Sequence, residues 1–260
     1  MGRRRSVLSM KAKNPVQSIE RADTILTILK DRDGARLMEL EDELRLSKGA
    51  IHSYLATLEQ CGFVRKEGTT YKIGFKCLDL GGYVREGEPV YQAGREGVDE
   101  LAIESGELLG IIREWEGRCL WLYQTAGTNA MPMDSRLGAR LPMHCTASGK
   151  ALLAELTEGR VREIVDTHGL TRWTANTVSS QEELFDQLAT IRKRGIAFDD
   201  EERIDGLRGI GTAVKSDGEV IGAIAMSGPV NRLRGDRYWD ELPDQLARIQ
   251  RTIEVKATYQ

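Results

Sequence analysis

Ser47-Lys48-Gly49-Ala50-Ile51-His52-Ser53-Tyr54-Leu55-Ala56-Thr57-Leu58-Glu59-Gln60 is the stretch that decides what the first third of this chain is. Ser47 is a helix N-cap residue, and Ile51, Leu55 and Leu58 recur at helical spacing to make one apolar stripe. The opposite face holds Gly49, His52, Ser53, Ala56 and Gln60. A helix that only faces water would carry Glu and Lys there. A helix built for a DNA major groove presents small and hydrogen-bonding side chains, with cations such as Lys48 at its edge.

The flanking sequence completes that reading. Upstream, Ser18 is the expected N-cap of a helix whose stripe is Ile19, Ala22, Ile25, Leu26 and Leu29 and which Gly34 closes. A short second helix turns Leu37, Leu40 and Leu44 inward, and Arg45-Leu46-Ser47 makes a tight turn into the third. Downstream, Val64 to Ile73 is two extended runs about Glu67-Gly68, a hairpin carrying Arg65, Lys66, Thr69 and Thr70. Helix, turn, helix and basic hairpin form a winged helix-turn-helix over residues 16–74. The residues expected on duplex DNA are Ser47, Lys48, Gly49, His52, Ser53, Arg65, Lys66 and Thr69. A winged helix that binds protein is the alternative, and Lys48 and His52 also read as plain surface residues. Residues 1–15, with Arg3, Arg4, Arg5, Lys11 and Lys13, read as a flexible basic arm in which Met10 is a second candidate start.

Composition agrees with a basic head on an acidic body. Residues 1–80 hold 15 Lys and Arg against 11 Asp and Glu, net +4, which leaves 22 against 29, net -7, for the remainder of the 260. A polyanion partner is thus expected for the head alone, although a solvated surface would account for a difference of this size. With 40% apolar and 30% charged residues the chain reads as an ordinary soluble protein of about two domains. No apolar run approaches a membrane span, and the basic N-terminus lacks the apolar core of a signal peptide. Cys61, Cys77, Cys119 and Cys145 show no Cys-x-x-Cys spacing, so neither a zinc knuckle nor a disulfide framework is expected and a reducing cytoplasm is the simplest home.

Phe75 to Arg85 predicts a linker helix (75–90) ending at a domain break near Pro89, followed by a helix over Ala93 to Glu104. Beyond Gly106 the period changes. Hairpins are expected about Glu116-Gly117 and Asp217-Gly218, with helices near Thr146 to Leu156, Arg160 to Thr167 and Gln181 to Arg194, and a last helix over Leu242 to Val255. This is an α+β domain, residues 91–260, on an antiparallel sheet. Gly206 to Gly211 lacks the setting of a dinucleotide loop and reads as a bulge or a place where backbone approaches a ligand. Within Pro142-Met-His-Cys-Thr-Ala-Ser-Gly-Lys-Ala-Leu-Leu153, a polar turn runs into an apolar helix. Its first N–H groups suit an anion; the plainer reading is a capped helix that holds nothing.

Three blocks together resemble the IclR family of transcriptional regulators: Val16 to Ala22, Leu141 to Ala151, and Asp199-Asp200-Glu201-Glu202 through Gly206-Leu207 to Ile224-Ala225-Met226-Ser227-Gly228-Pro229. The resemblance runs from Val16 to Val255. It implies a winged helix-turn-helix, a linker helix and a profilin-like or GAF-like effector domain. It also implies dimers or dimers of dimers on palindromic operators, answering to small organic acids or aromatic metabolites. Carried over by motif, the effector residues are Met133, Leu141, Ala147, Ser148, Asp199, Leu207, Gly209, Ala225 and Ser227. Two departures bear on contacts: Gly49-Ala50 stands where the family usually has two hydroxyl residues, and Gly209 and Ala225 stand where Cys and Ser are common. Asp199 would repel a carboxylate, so it is expected to bond a ligand hydroxyl, meet a protonated neighbour or turn away, while Ser227 could bond a hydroxyl or carbonyl, and a 2-oxo or hydroxy acid is the expected effector class. No enzyme activity, cofactor or metal is expected. Two other readings stay open. One is an enzyme with Cys145 as nucleophile and His144 as base; adjacent side chains point apart, which disfavours it. The other is a metal-responsive regulator with Cys145, His144 and Asp199 on one ion.

Overall fold

The computed structural model describes residues 12–131 and 136–259. It divides into two compact units between Glu86 and Gly87, each described by itself. The basic arm through Lys11, and Met133, lie outside the described residues.

In the first unit α1 (Gln17–Asp31), α2 (Leu37–Leu44) and α3 (Lys48–Gln60) close over a core of Ile25, Leu29, Leu40, Ile51, Leu55 and Leu58. Ser18 is not the cap of α1: the helix begins two residues earlier than that cap would set it, with Val16 at the N-cap and no side-chain hydrogen bond there. Gly34, at φ +114, donates its N–H to the Leu29 carbonyl at 2.8 Å and turns the chain out of the helix. Arg45 takes a left-handed conformation between α2 and α3. The hairpin of β2 (Val64–Glu67) and β3 (Thr70–Ile73) turns on Gly68 and Thr69, one residue later than expected, and gains a short third strand, β1 (Ala35–Arg36), beside β3. Helix α4 (Lys76–Glu86) follows the wing. The linker does not run on to residue 90, because α5 (Pro89–Ser105) starts with Pro89 in its first turn and buries Val90 and Tyr91 in the core of the second unit.

The second unit is built on a six-stranded antiparallel sheet in the order β6-β5-β4-β9-β8-β7. Its strands are β4 (Leu108–Trp115), β5 (Arg118–Ala126), β6 (Arg140–Leu141), β7 (Ala197–Asp200), β8 (Leu207–Ser216) and β9 (Glu219–Pro229). Both expected tight turns are present, with Glu116 and Asp217 at positive φ followed by Gly117 and Gly218. Side-chain alternation gives the sheet two apolar faces. Helices α5 and α9 (Leu242–Thr258) cover one, over Leu109, Ile111, Ile210 and Ile224. Helices α6 (Ala147–Ala154), α7 (Glu158–His168) and α8 (Gln181–Arg194) cover the other, over Cys119, Trp121, Ala223 and Ala225. The sequence places no side chain at Gly211 for a geometric reason: a Cβ there would lie 2.7 Å from the Ala147 carbonyl carbon and the Ser148 amide nitrogen. The glycine-rich run from Gly206 is therefore regular β8 strand from Leu207 onward, and what its backbone approaches is α6.

Candidate nucleic-acid interface and ligand site

On α3 the outer face is open to solvent, with Lys48, Gly49, His52 and Ser53 all exposed. Part of its hydrogen-bonding capacity serves the helix. Ser47 Oγ accepts from the Ala50 N–H at 3.3 Å, and Ser53 Oγ donates to the Gly49 carbonyl at 3.0 Å, leaving its lone pairs for a base edge. The wing is more self-occupied than its sequence suggests. Arg65 forms an ion pair with Glu67, donates Nε to the Ile73 carbonyl at 3.2 Å and stacks over the Phe75 ring. Lys72 also reaches Glu67, at 3.2 Å, while Lys66 lies over Tyr71 and Thr69 sits in the turn. An exposed ion pair of this kind is worth at most about 1 kcal/mol, so a phosphate can compete for Arg65, but Lys48 is the less encumbered cation.

In the second unit the α6 face of the sheet gathers Asp199 on β7, Leu207 and Gly209 on β8, and Ala225 and Ser227 on β9, since Gly209 pairs with both Asp199 and Ser227 and Gly211 with Ala225. A Cβ on Gly209 would stand 3.4 Å from Asp199 Cβ and 3.5 Å from Ala147 Cβ, which brings strand, carboxylate and helix start into one place. Thr146 caps α6 by accepting from the Gly149 N–H at 3.2 Å, and Ala147 and Ser148 form its buried first turn. Leu141 lies on the edge strand β6 against the cluster that holds Trp121, Met143 and Ala225. Leu207 is half-buried at the start of β8.

Asp199 accepts from the Glu202 N–H at 2.9 Å, yet burial, reinforced by the Glu202 carboxylate, pushes its own carboxyl up to about 7. Near neutral pH it is divided between acid and carboxylate. The protonated form can donate a hydrogen bond, which the carboxylate cannot. Beside it, Lys150, with only 2% of its side chain exposed, forms an ion pair with the almost equally buried Glu202 and donates to Gln187 at 3.0 Å. This pair ties the turn after β7 to α6 and was not anticipated, since a Lys in an apolar helical pattern reads as a solvated residue.

The two competing chemistries lack their geometry. His144 directs Nε2 to the Thr171 carbonyl at 3.0 Å, and burial drives the Cys145 thiol up to about 12, the reverse of an activated nucleophile. Among the described residues no group of three or more His, Cys, Asp and Glu is placed to hold a metal ion.

Comparison with known proteins now joins the two halves. Residues 18–68 match the IclR helix-turn-helix domain and residues 85–255 the bacterial transcriptional regulator IclR C-terminal domain. The chain belongs to the IclR family. A probable HTH-type transcriptional regulator, ArcR, of Halobacterium salinarum is 33% identical over 246 residues, 93% of this chain and 94% of that one. The crystal structure of the Thermotoga maritima IclR superposes with a TM-score of 0.79 at 27% identity, covering 94% of this chain and 99% of that one. An IclR homologue from Microbacterium hydrocarbonoxydans, solved with 4-hydroxybenzoate, shares the fold at TM-score 0.83 and 19% identity, over 94% of this chain and 100% of that one. These relatives are transcription regulators, not enzymes, and this chain is an IclR-family regulator with a helix-turn-helix head. No helix of the described residues is long and apolar enough to cross a membrane.

Proposed function

We propose that this IclR regulator binds a palindromic operator as a dimer, or a dimer of dimers, in the cytoplasm, and that a small organic acid held between α6 and β7–β9 controls the binding. The head, residues 16–74, is the DNA-binding domain, α4 the linker and the remainder the effector domain. For DNA the supporting observation is the open, small and neutral outer face of α3 with Lys48 at its start. Two-fold pairing is supported by α4, which buries none of its residues and leaves Leu78 and Tyr83 72% and 81% exposed, with Phe75 just before it 72% exposed. A single recognition helix reads few base pairs, and a second copy supplies the other half-site.

The observation that carries the effector reading is the placement of the buried Asp199 beside the first turn of α6, across Gly209 from Ala147. The helix start offers Ala147 and Ser148 N–H groups to a carboxylate, worth about 0.3 to 1 kcal/mol where exposed and more where buried. Asp199 and Ser227 offer hydrogen bonds to a hydroxyl or keto group. The Microbacterium homologue's aromatic hydroxy acid is of that class. The test is a thermal-shift screen of 2-oxo and hydroxy acids, followed by Ser148→Trp, which fills the site. The variant should lose stabilisation by the acid and keep operator binding that no longer responds to it. Unchanged affinity in Ser148→Trp would move the effector elsewhere. Footprints with Ala at Lys48, His52, Ser53 and Arg65 that match the wild type would overturn the DNA assignment, and a monomer with a non-palindromic footprint would overturn the dimer.

A further inference from the structure

Helix α2 ends on a residue that its backbone does not favour. Arg45, next after Leu44, is held in the left-handed region at φ 50 and ψ 37. A residue with a Cβ is strained there and glycine is not. Helices α5 and α8 end in the same conformation and use glycine, Gly106 at φ 75 and Gly195 at φ 77. The other positive-φ residues with a side chain among those described are acidic, and Asp33, Glu116 and Asp217 each precede a glycine in a turn. Arg45 is the one cation among them. An arginine at a position that glycine fills without strain is kept for its guanidinium or merely tolerated, and what surrounds the guanidinium decides between the two.

Arg45 is exposed, and among the described residues its side chain has no hydrogen bond, ion pair or ring contact. Most cations near it in the first unit are engaged: Arg32 with Glu43, Arg65 and Lys72 with Glu67, and Lys76 with Asp79. Arg45 stands two residues before Ser47, so its Cα lies within about 7.6 Å of the cap of α3. That end of α3 is only partly satisfied. Ser47 Oγ takes the Ala50 N–H and the Ser47 carbonyl takes the Ile51 N–H at 3.0 Å, which leaves the N–H groups of Lys48 and Gly49 open. Gly49 and Ala50 add no polar side-chain atom. From the helix itself a phosphate would therefore meet two N–H groups and the Lys48 ammonium, a point charge. The Arg45 guanidinium adds a second charge and a planar fork that can hold two phosphate oxygens at once.

We infer that Arg45 is a DNA-binding residue: its guanidinium takes a backbone phosphate of the duplex at the start of α3, beside Lys48, and so positions the recognition helix without reading a base. This rests on the assignment of α3 to the major groove and adds to it a residue outside the helix and outside the wing. It also sets stability against function at one position. Glycine would relieve the left-handed turn and remove the phosphate contact, so the fold should gain where DNA affinity is lost. A purely structural arginine would show the reverse, and a merely solvated one would leave affinity untouched.

The test uses the full chain and a duplex that the wild type selects from a random-sequence pool. Fluorescence anisotropy gives the affinity at several salt concentrations, and circular dichroism gives the unfolding temperature. Arg45→Gly should unfold no lower than the wild type and bind about tenfold more weakly, the effect of one charge-assisted bond. Its plot of log affinity against log salt should be shallower by about 0.9 for each copy on the DNA, one phosphate contact apiece. A repeated selection should return the same preferred sequence, because no base contact is lost. Arg45→Gln keeps the strained turn without the charge, so it should lose the same affinity and slope with no gain in unfolding temperature. Arg45→Lys should keep most of the slope and bind about threefold more weakly, since the charge remains and the fork does not. Wild-type affinity and slope in both Arg45→Gly and Arg45→Gln overturn the assignment, as does an Arg45→Gly chain that unfolds below the wild type, because Arg45 would then serve the fold. Lys48→Ala separates the two levels. A shallower slope there with the Arg45 variants unaffected sinks only this inference, whereas wild-type binding in Lys48→Ala and in every Arg45 variant sinks the α3 assignment as well.

Discussion

Helices α3 and α6 begin in the same way and end in opposite surroundings. Each is capped by a hydroxyl residue that accepts from the amide three residues on, Ser47 from Ala50 at 3.3 Å and Thr146 from Gly149 at 3.2 Å. Each has a glycine in its first turn, Gly49 or Gly149. Yet α3 buries only Ile51, Leu55 and Leu58, whereas all eight residues of α6 are buried, a lysine among them. Local chemistry starts a helix, but the partners that surround it decide whether its polar groups face water, a macromolecule or a small ligand. The α3 face is open, as an interface requires, while the α6 start is enclosed, which raises the value of every charge near it.

Removing the lysine should test that contrast most severely. Lys150→Met leaves Glu202 buried without its cation and should destabilise the second unit by about 3–5 kcal/mol, as broken buried pairs do. Replacing both partners, Lys150→Met with Glu202→Leu, should recover most of the loss, because the isolated charge and not the absent pair is the cost. Urea unfolding of the three proteins checks this; a double variant as unstable as the single one would show that the pair holds the fold by its geometry.

Gly149→Ala comes next. A Cβ at Gly149 would stand 2.3 Å from the Met143 carbonyl oxygen and 2.4 Å from Met143 Cα, and backbone atoms cannot rotate away. The expected cost is about 2–3 kcal/mol. Denaturant midpoints measure it, and a neutral result would mean that the turn before α6 shifts freely.

Proton linkage supplies a third test. Asp199 is held near 7 in the folded chain against an ordinary value of 3.8, so between those limits the folded state keeps a proton that the unfolded chain has released. Stability should accordingly fall as pH rises from about 4 through about 7 and level off above, by at most about 4 kcal/mol at the usual exchange of pKa into energy. Glu202 is shifted in the same direction by burial and adds to the trend. Asp199→Asn should flatten most of it. Above about 7 an acid that accepts a hydrogen bond from protonated Asp199 should bind more tightly as pH falls, by up to about tenfold per unit, and its affinity should level off below 7. Matching pH slopes for the variant and the wild type would remove Asp199 from both arguments.

Much of this was legible in residue order. The stripes of α1 to α3, apart from Ile19, which is exposed, the Ser47 cap and the two hairpins of the sheet follow from local spacing and turn chemistry, and local chemistry survives folding. What could not be read depends on partners distant in sequence. Strands β1 and β6 have two residues each and exist only because β3 and β5 offer them hydrogen bonds. Val16 caps α1 where Ser18 was expected, since the helix could begin earlier without a side-chain cap. Within the candidate site, motif resemblance singled out Asp199, Ala147 and Ser148, whereas Lys150, paired with Glu202 beside them, carried no signal of its own. A lysine is an ordinary surface residue until the fold encloses it with a buried carboxylate. Met143, which the glycine of α6 must clear, shows the same dependence: its proximity is evident only once the turn has closed.

The smallest effect is the most direct reversal of the comparison. Gly49, like Gly149, lies in the first turn of a capped helix, but a Cβ there meets nothing within 4 Å. Gly49→Ala should therefore stabilise the head, by about 0.5 kcal/mol, because alanine loses less backbone entropy than glycine on entering a helix. For a unit of this size that is a rise of roughly 2–4 °C in its unfolding temperature. The added methyl also projects from the exposed face of α3. If that face enters the major groove, the methyl should change operator affinity, while the salt dependence should stay as in the wild type because no cation is lost. Thermal unfolding together with DNA titration at two salt concentrations separates the two effects. A variant more stable than the wild type with operator binding unchanged in strength and sequence preference would place Gly49 outside the interface. A variant less stable than the wild type would mean that α3, like α6, is covered by something in solution, and the contrast between the two helices would fail.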